Sequence, residues 1–187
     1  MSSETESSLL DSRSRPGSLI DAARRGDEGA FESLVRSRLE RTYRIALATL
    51  GSEADARDAV QETWVAVWRK FPTLADTDRF DAWVDSIVVN ACRMTIRKRG
   101  RVREIALVED MDRRASGPGP DQISEREALD RAFARLSVDH RVILVFHHLE
   151  EQPLAAIAAR LGIPVGTAKS RLFAARAALQ ASLEAER

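Results

Sequence analysis

The 187-residue sequence predicts an all-α fold of two small helical domains joined by a flexible linker. Three observations carry that expectation. Apolar residues recur at three- and four-residue spacing through 19–99 and again through 125–183, and nowhere alternate with a period of two over any length. Between these regions, EIALVEDMDRRASGPGPDQIS (104–124) loses the helical pattern and contains Gly-Pro-Gly-Pro, which reads as a linker with at most a brief helical turn. In 154–183, two amphipathic runs meet at Gly162, the pattern of a helix-turn-helix. The C-terminal domain is therefore expected to be a four-helix unit ending in that motif.

The elements follow in order. Residues 1–18 are rich in Ser and charge and read as a disordered arm. The first domain, 19–103, begins with helices that use Phe31, Leu34, Val35, Leu39, Tyr43, Leu47 and Leu50 as apolar faces. Gly51-Ser52 interrupts the pattern, and Ser52 suits the N-cap of EADARDAVQETWVAVWRKF, which ends before Pro72. Here Val60, Trp64, Val67 and Phe71 face inward. A polar loop, TLADTDR, leads to FDAWVDSIVVNACRMTIRKRGR, a helix expected to close at Gly100 and to bury Phe80, Trp83, Val84, Ile87, Ala91 and Met94. The second domain, 125–187, opens with EREALDRAFARL, whose apolar face is Ala128, Leu129, Ala132, Phe133 and Leu136. SVDHRVILVFHHL follows, capped at Ser137. In the helix-turn-helix, Leu154, Ile157, Ala158 and Leu161 line the first helix. Gly162 permits the positive φ of a tight turn, and Pro164 suits the first turn of the next helix. Val165, Ala168, Leu172, Ala175, Leu179 and Leu183 then form one stripe.

Charge narrows the function classes. Lys and Arg total 29, as do Asp and Glu, so net charge points to no partner. Its distribution does. Basic residues gather in 93–103 and 160–176, acidic ones in 53–62 and 109–112, and no acid occurs from 152 to 182. This segregation suits nucleic acid at some surfaces and a basic protein at another. The sole cysteine, Cys92, excludes an internal disulfide or a multi-cysteine zinc site. His140, His147 and His148 lack metal-ligand spacing, and no phosphate-binding loop or nucleophile elbow is present. No enzyme activity, metal or cofactor is expected. With no membrane-length apolar run and acids where a signal peptide carries bases, the expectation is a cytoplasmic protein without membrane insertion.

Three helical faces remain as candidate sites. On the last helix, Ser170, Phe173 and Ala174 point away from the apolar stripe, flanked by Lys169, Arg171 and Arg176. A phenyl ring beside a hydroxyl and cations suits a groove lined by phosphates and thymine methyls. In the 80–103 helix, Ser86, Asn90, Arg93 and Arg97 form a polar stripe. Asn can hold a base edge while Arg neutralises phosphate. In the 53–71 helix, Asp58, Glu62, Val65 and Arg69 share the outward side with Gln61 on the flank, a face able to dock on a basic helix. Taken singly, each face also fits an ordinary solvated helix surface.

Together, and in this order, the parts resemble the sigma-70 family of RNA polymerase sigma factors, in its short extracytoplasmic-function (ECF) form. DAVQETWVAVWRKF is similar to the family's core-polymerase-binding helix, and FDAWVDSIVVNACRMTIRKRGR to its −10 melting and recognition helix. LAAIAARLGIPVGTAKSRLFAARAAL resembles its −35-binding helix-turn-helix. The resemblance implies that Asp58, Gln61, Glu62 and Val65 bind core RNA polymerase. It implies that Asn90 acts at the melted −10 strand with Arg93 and Arg97 on the backbone. The loop 75–79, with Asp76 and Thr77, would take a flipped-out base. For the −35 element it implies base reading by Lys169, Ser170 and Phe173, and phosphate contacts by Thr167, Arg171 and Arg176. Promoter DNA, core polymerase and an anti-sigma factor are the partners it implies. Ala156, Ala168 and Ala174 depart from the family's usual Glu, Val and Arg, which bears on −35 preference. The alternative reading is a helix-turn-helix regulator that binds an operator without being a polymerase subunit.

Overall fold

A computed structural model describes residues 16–109 and 125–185. Among the described residues every regular element is helical. The first unit holds α1 (Pro16–Arg24), α2 (Glu28–Leu50), α3 (Glu53–Lys70) and α4 (Phe80–Glu109), with 3-10 turns at Phe71–Thr73 and Thr77–Arg79. The second holds α5 (Glu125–Ala134), α6 (Val138–Leu144) continued by a π-helical turn (Val145–Leu149), α7 (Leu154–Leu161) and α8 (Val165–Glu184).

Local chemistry sets these boundaries. Asp27 caps α2 by accepting from the Ala30 N–H at 2.9 Å, and Gly51 closes that helix in the left-handed region at φ 69°. Ser52 and Ser137 cap α3 and α6 as their spacing predicts, each accepting an N–H three residues on. Two boundaries differ from the sequence expectation. Pro16, favourable in a helix's first turn, starts α1 inside the segment read as an arm; the rest of that segment, 1–15, lies outside the described residues. Helix α4 runs through Gly100 to Glu109, so 104–109 is helical rather than linker. One Gly costs a helix only about 1 kcal/mol relative to Ala, and no Pro follows at once to stop it. The remaining linker residues, 110–124, lie outside the described residues.

The core of the first unit is aromatic. Phe31 meets Trp68 at 4.7 Å between ring centres and Phe71 at 5.7 Å, and Phe71 meets Phe80 at 5.4 Å. In the second unit Ile143, Phe146 and Ile157 are fully buried beneath Ala168, Leu172 and Ala175 of α8. These are not two separate cores. Buried apolar residues of both units form one continuous cluster, with α4 packed on α6 and α7 and α2 packed on α6 and the π turn. Some expected core residues stay outside it. Met94 is 53 % exposed and shares a shallow hollow with Glu62, Lys98 and Arg101. Leu39, Leu129 and Val165 are also exposed, each lying at the rim of its stripe.

Candidate nucleic-acid and polymerase interfaces

The helix-turn-helix is built around Gly162. At φ 64° its N–H reaches the carbonyls of Ala158 and Ala159, while the Ile163 N–H returns to Ala158 at 3.0 Å. This left-handed closure satisfies the last carbonyls of α7 and redirects the chain into α8. Burial of Ala168, Leu172 and Ala175 then fixes which side of α8 faces out. Thr167, Lys169, Ser170, Phe173 and Arg176 are exposed and Arg171 is half-buried. Phe173 is 77 % exposed, so its ring does not turn back into its own domain. Two of the flanking cations have partners. Arg176 Nη2 lies 3.2 Å from His148 Nε2, and Arg171 Nη1 lies 3.6 Å from Asp139 Oδ2. Partial burial, then neighbouring His147 and Arg176, lower the pKa of His148.

On α3, burial of Val60, Thr63, Trp64 and Val67 turns Asp58, Gln61, Glu62 and Val65 outward, and all four are exposed. Gln61 and Val65 border a groove of about 910 Å³ between α2 and α3, walled by Phe31, Leu39, Tyr43 and Trp68. The acidic face therefore adjoins an apolar trough, the combination an amphipathic basic helix would fit. On α4, Asn90 and Arg97 are exposed, and Asn90 Oδ1 accepts from Arg93 Nη1 at 3.2 Å. The loop before α4 is anchored by buried Leu74, whose carbonyl accepts from Arg24. Asp76 caps the next 3-10 turn, accepting from the Asp78 N–H at 3.0 Å, and Thr77 is half-buried within it. A cleft of about 360 Å³ separates Asp76, Arg79, Trp83 and Ser86 from Arg160 and Gly162 of the second unit.

A polar cluster that the sequence reading missed joins the units. Asp85 of α4, with a side chain 1 % exposed, takes Arg41 of α2 in a two-pronged pair at 2.6 and 3.1 Å, and also pairs with Arg160 of α7. Glu150 accepts from Arg41 Nε and Arg44 Nη2, each at 2.8 Å. Burial lowers the Arg41 pKa, but the hydrogen bonds and charge of Asp85, then of Glu150, outweigh it and raise the value overall. Arg93 completes the bridge, with Nε and Nη2 at 3.0 and 2.9 Å from Asp139 Oδ1 of α6. One sequence signal was available: helical spacing puts Asp85 on the same face as Val88 and Cys92, a carboxylate among core positions. Among the described residues no group of three or more His, Cys, Asp or Glu is placed to hold a metal ion.

Comparison with known proteins agrees with this layout. The sigma-70 region 2 family matches residues 34–102 and the sigma-70 region 4 family matches residues 126–179. The chain is 34 % identical over 169 residues to the ECF RNA polymerase sigma factor SigM of Mycobacterium tuberculosis, covering 86 % of this chain and 81 % of that one. It is also 34 % identical over 163 residues to the ECF RNA polymerase sigma factor SigE of Mycolicibacterium smegmatis, covering 83 % of this chain and 63 % of that longer relative. Among solved structures it resembles CnrH in complex with the cytosolic domain of CnrY, with a TM-score of 0.64 at 26 % identity, covering 92 % of this chain and 99 % of CnrH. It likewise resembles the sigma factor RpoE of Bartonella quintana in complex with the anti-sigma factor NepR, with a TM-score of 0.63 at 25 % identity, covering 84 % and 98 %. With its region 2 helices, its region 4 helix-turn-helix and these relatives, the chain belongs to the sigma-70 family as an ECF RNA polymerase sigma factor.

Proposed function

We propose that this chain binds core RNA polymerase and directs promoter-specific initiation by recognising −35 and −10 elements. The observation that carries this reading is the presence of three differently suited faces on one chain. A helix with no acid before Glu184 presents Phe173 to solvent, a second helix presents Asn90 and Arg97, and a third sets Asp58, Gln61 and Glu62 beside an apolar groove. Lys169, Ser170 and Phe173 read −35 bases, while Thr167, Arg171 and Arg176 take phosphates. Asn90 holds an unpaired −10 base, with Arg93 and Arg97 on the backbone and Asp76 and Thr77 at the flipped-out base. Asp58, Gln61, Glu62 and Val65 dock on polymerase. The fifteen residues 110–124 between the two units reach about 50 Å when extended, and the helical residues before them add to that reach. The two promoter elements lie roughly 50–70 Å apart.

The chain acts by binding and positioning rather than by catalysis, and it works with polymerase in the cytoplasm. Among the described residues no helix is long and apolar enough to cross a membrane. An anti-sigma factor is a further partner under this reading, supported by the likeness to RpoE bound to NepR. An operator-binding regulator accounts for α8 alone and leaves the α3 face without a role. Adding the chain to bare core polymerase and a promoter library tests the proposal. Promoter-specific transcripts are expected, and their absence with a folded chain overturns it.

A further inference from the structure

We infer that His148 is a further phosphate contact of the −35 interface, standing beside Arg176 and sharing one DNA phosphate with it. The inference rests on the proposed −35 role of α8 and adds to that site a residue from outside the helix-turn-helix. Arg176 Nη2 lies 3.2 Å from His148 Nε2, and both side chains are exposed. His148 belongs to the π-helical turn (Val145–Leu149) that continues α6. There the Glu150 N–H closes on the Val145 carbonyl at 3.0 Å, five residues back, so the turn holds one residue more than an α-helical turn. With that extra residue His147 is half-buried, His148 is turned outward, and Glu150 returns inward with its side chain 4 % exposed. In a helix-turn-helix, the part ahead of the recognition helix lies over the DNA backbone rather than in the groove. An imidazole there, one hydrogen bond from a guanidinium that takes phosphate, is placed for the phosphate rail and not for a base edge.

In the free chain the pair is a neutral imidazole and a cation. Nε2 accepts from the Arg176 N–H, which puts the ring proton on Nδ1. Partial burial, then His147 and Arg176, hold the His148 pKa below its ordinary 6.5, so the ring is uncharged at pH 7–8. Charged groups on the surrounding elements are matched elsewhere. Arg41 and Arg44 of α2 pair with Glu150, Arg160 of α7 pairs with Asp85, and Arg171 of α8 pairs with Asp139 of α6. The titratable neighbour on the same turn is His147, 4.7 Å away between ring centres. A phosphate drawn in by Arg176 changes the balance. Its negative charge offsets the repulsion between the two side chains and favours the protonated ring. His148 then takes a proton from solvent onto Nε2 and donates it to one phosphate oxygen, while Arg176 donates to another. Binding and proton uptake are thereby linked. Affinity rises as pH falls through the His148 pKa of the complex, and levels off below that of the free chain.

Titrating the full chain with a mixed-sequence DNA duplex at pH 8 and pH 5.5 tests this, because a phosphate contact carries no sequence information. The unaltered chain should bind about three- to tenfold more tightly at the lower pH, the gain expected when one group's pKa moves by about half a unit to one unit on binding. His148→Gln, which hydrogen-bonds but does not titrate, should match the unaltered chain at pH 8 and lack the gain. His148→Lys, a permanent cation, should bind more tightly at pH 8 and be equally indifferent to pH. If His148→Gln keeps the gain, or the unaltered chain shows none, the His148 contact is wrong. Helical circular dichroism is read at both pH values. Should His148→Gln lose it, His148→Lys decides in its place, and a gain there equal to that of the unaltered chain refutes the contact. Run-off transcription by the unaltered chain on core polymerase is measured alongside. Its absence would sink the sigma reading itself, whereas transcription with DNA binding indifferent to pH sinks only the His148 contact.

Discussion

The Phe173 ring, 77 % exposed on the outward side of α8, contributes little to its own fold and leaves its apolar surface available for a thymine methyl. Phe173→Ala should cost about 1–3 kcal/mol at the preferred −35 sequence and much less on scrambled DNA. The melting temperature should stay the same. Titrations on both duplexes beside a melting curve check this; an early-melting variant with an unaltered specificity ratio would refute base reading. The position of this ring opposite the stripe of Ala168, Leu172 and Ala175 was legible from 100° spacing, because the stripe is small or apolar and Lys169, Arg171 and Arg176 flank the ring. Arg93 and Arg171 were legible as cations on helix faces away from the core, but their shared partner was not. Asp139 lies 46 residues from Arg93 in sequence, and no local spacing encodes a contact at that separation.

At the scale of elements, the sequence was most informative where capping chemistry is local. Ser52, Ser137 and Gly162 act as their types predict, because each satisfies backbone groups within a few residues of itself. Gly100 misled for the complementary reason. Its flexibility weakens a helix without ending it, and α4 continues for nine residues beyond. The α3 face gives a prediction at this scale, since Asp58 and Glu62 are exposed, one turn apart and beside the groove that Val65 borders. Reversing both charges, as Asp58→Lys with Glu62→Lys, should weaken core polymerase binding by about 2–5 kcal/mol where the contacts become desolvated. Affinity for an isolated −35 duplex should be unaffected. Equal core affinity in a folded double variant would remove α3 as the docking face.

For the whole molecule, periodicity identified the apolar faces but not the partner each one meets. Helix α4 illustrates the gap: its buried positions include Val84, Asp85, Val88, Val89 and Cys92, a span too wide for one neighbour, because α2 and α3 cover part of it and the second unit covers another part. Cys92 is fully buried, and burial raises its thiol pKa to about 12. At pH 7–8 the thiol is therefore protonated as well as shielded, and it should react with a disulfide reagent only when the structure opens. Its labelling rate should rise with denaturant in step with global unfolding. Rapid stoichiometric labelling of the folded chain would contradict this packing.

The charge pairs between the two units have a consequence for salt. Arg41 with Glu150 and Arg160 with Asp85 cross that boundary on carboxylates whose side chains are only 4 % and 1 % exposed. Dissolved ions screen exposed charges far more than buried ones. Raising ionic strength should therefore loosen the hold of the exposed α8 face on DNA phosphate well before it loosens the packing of one unit on the other.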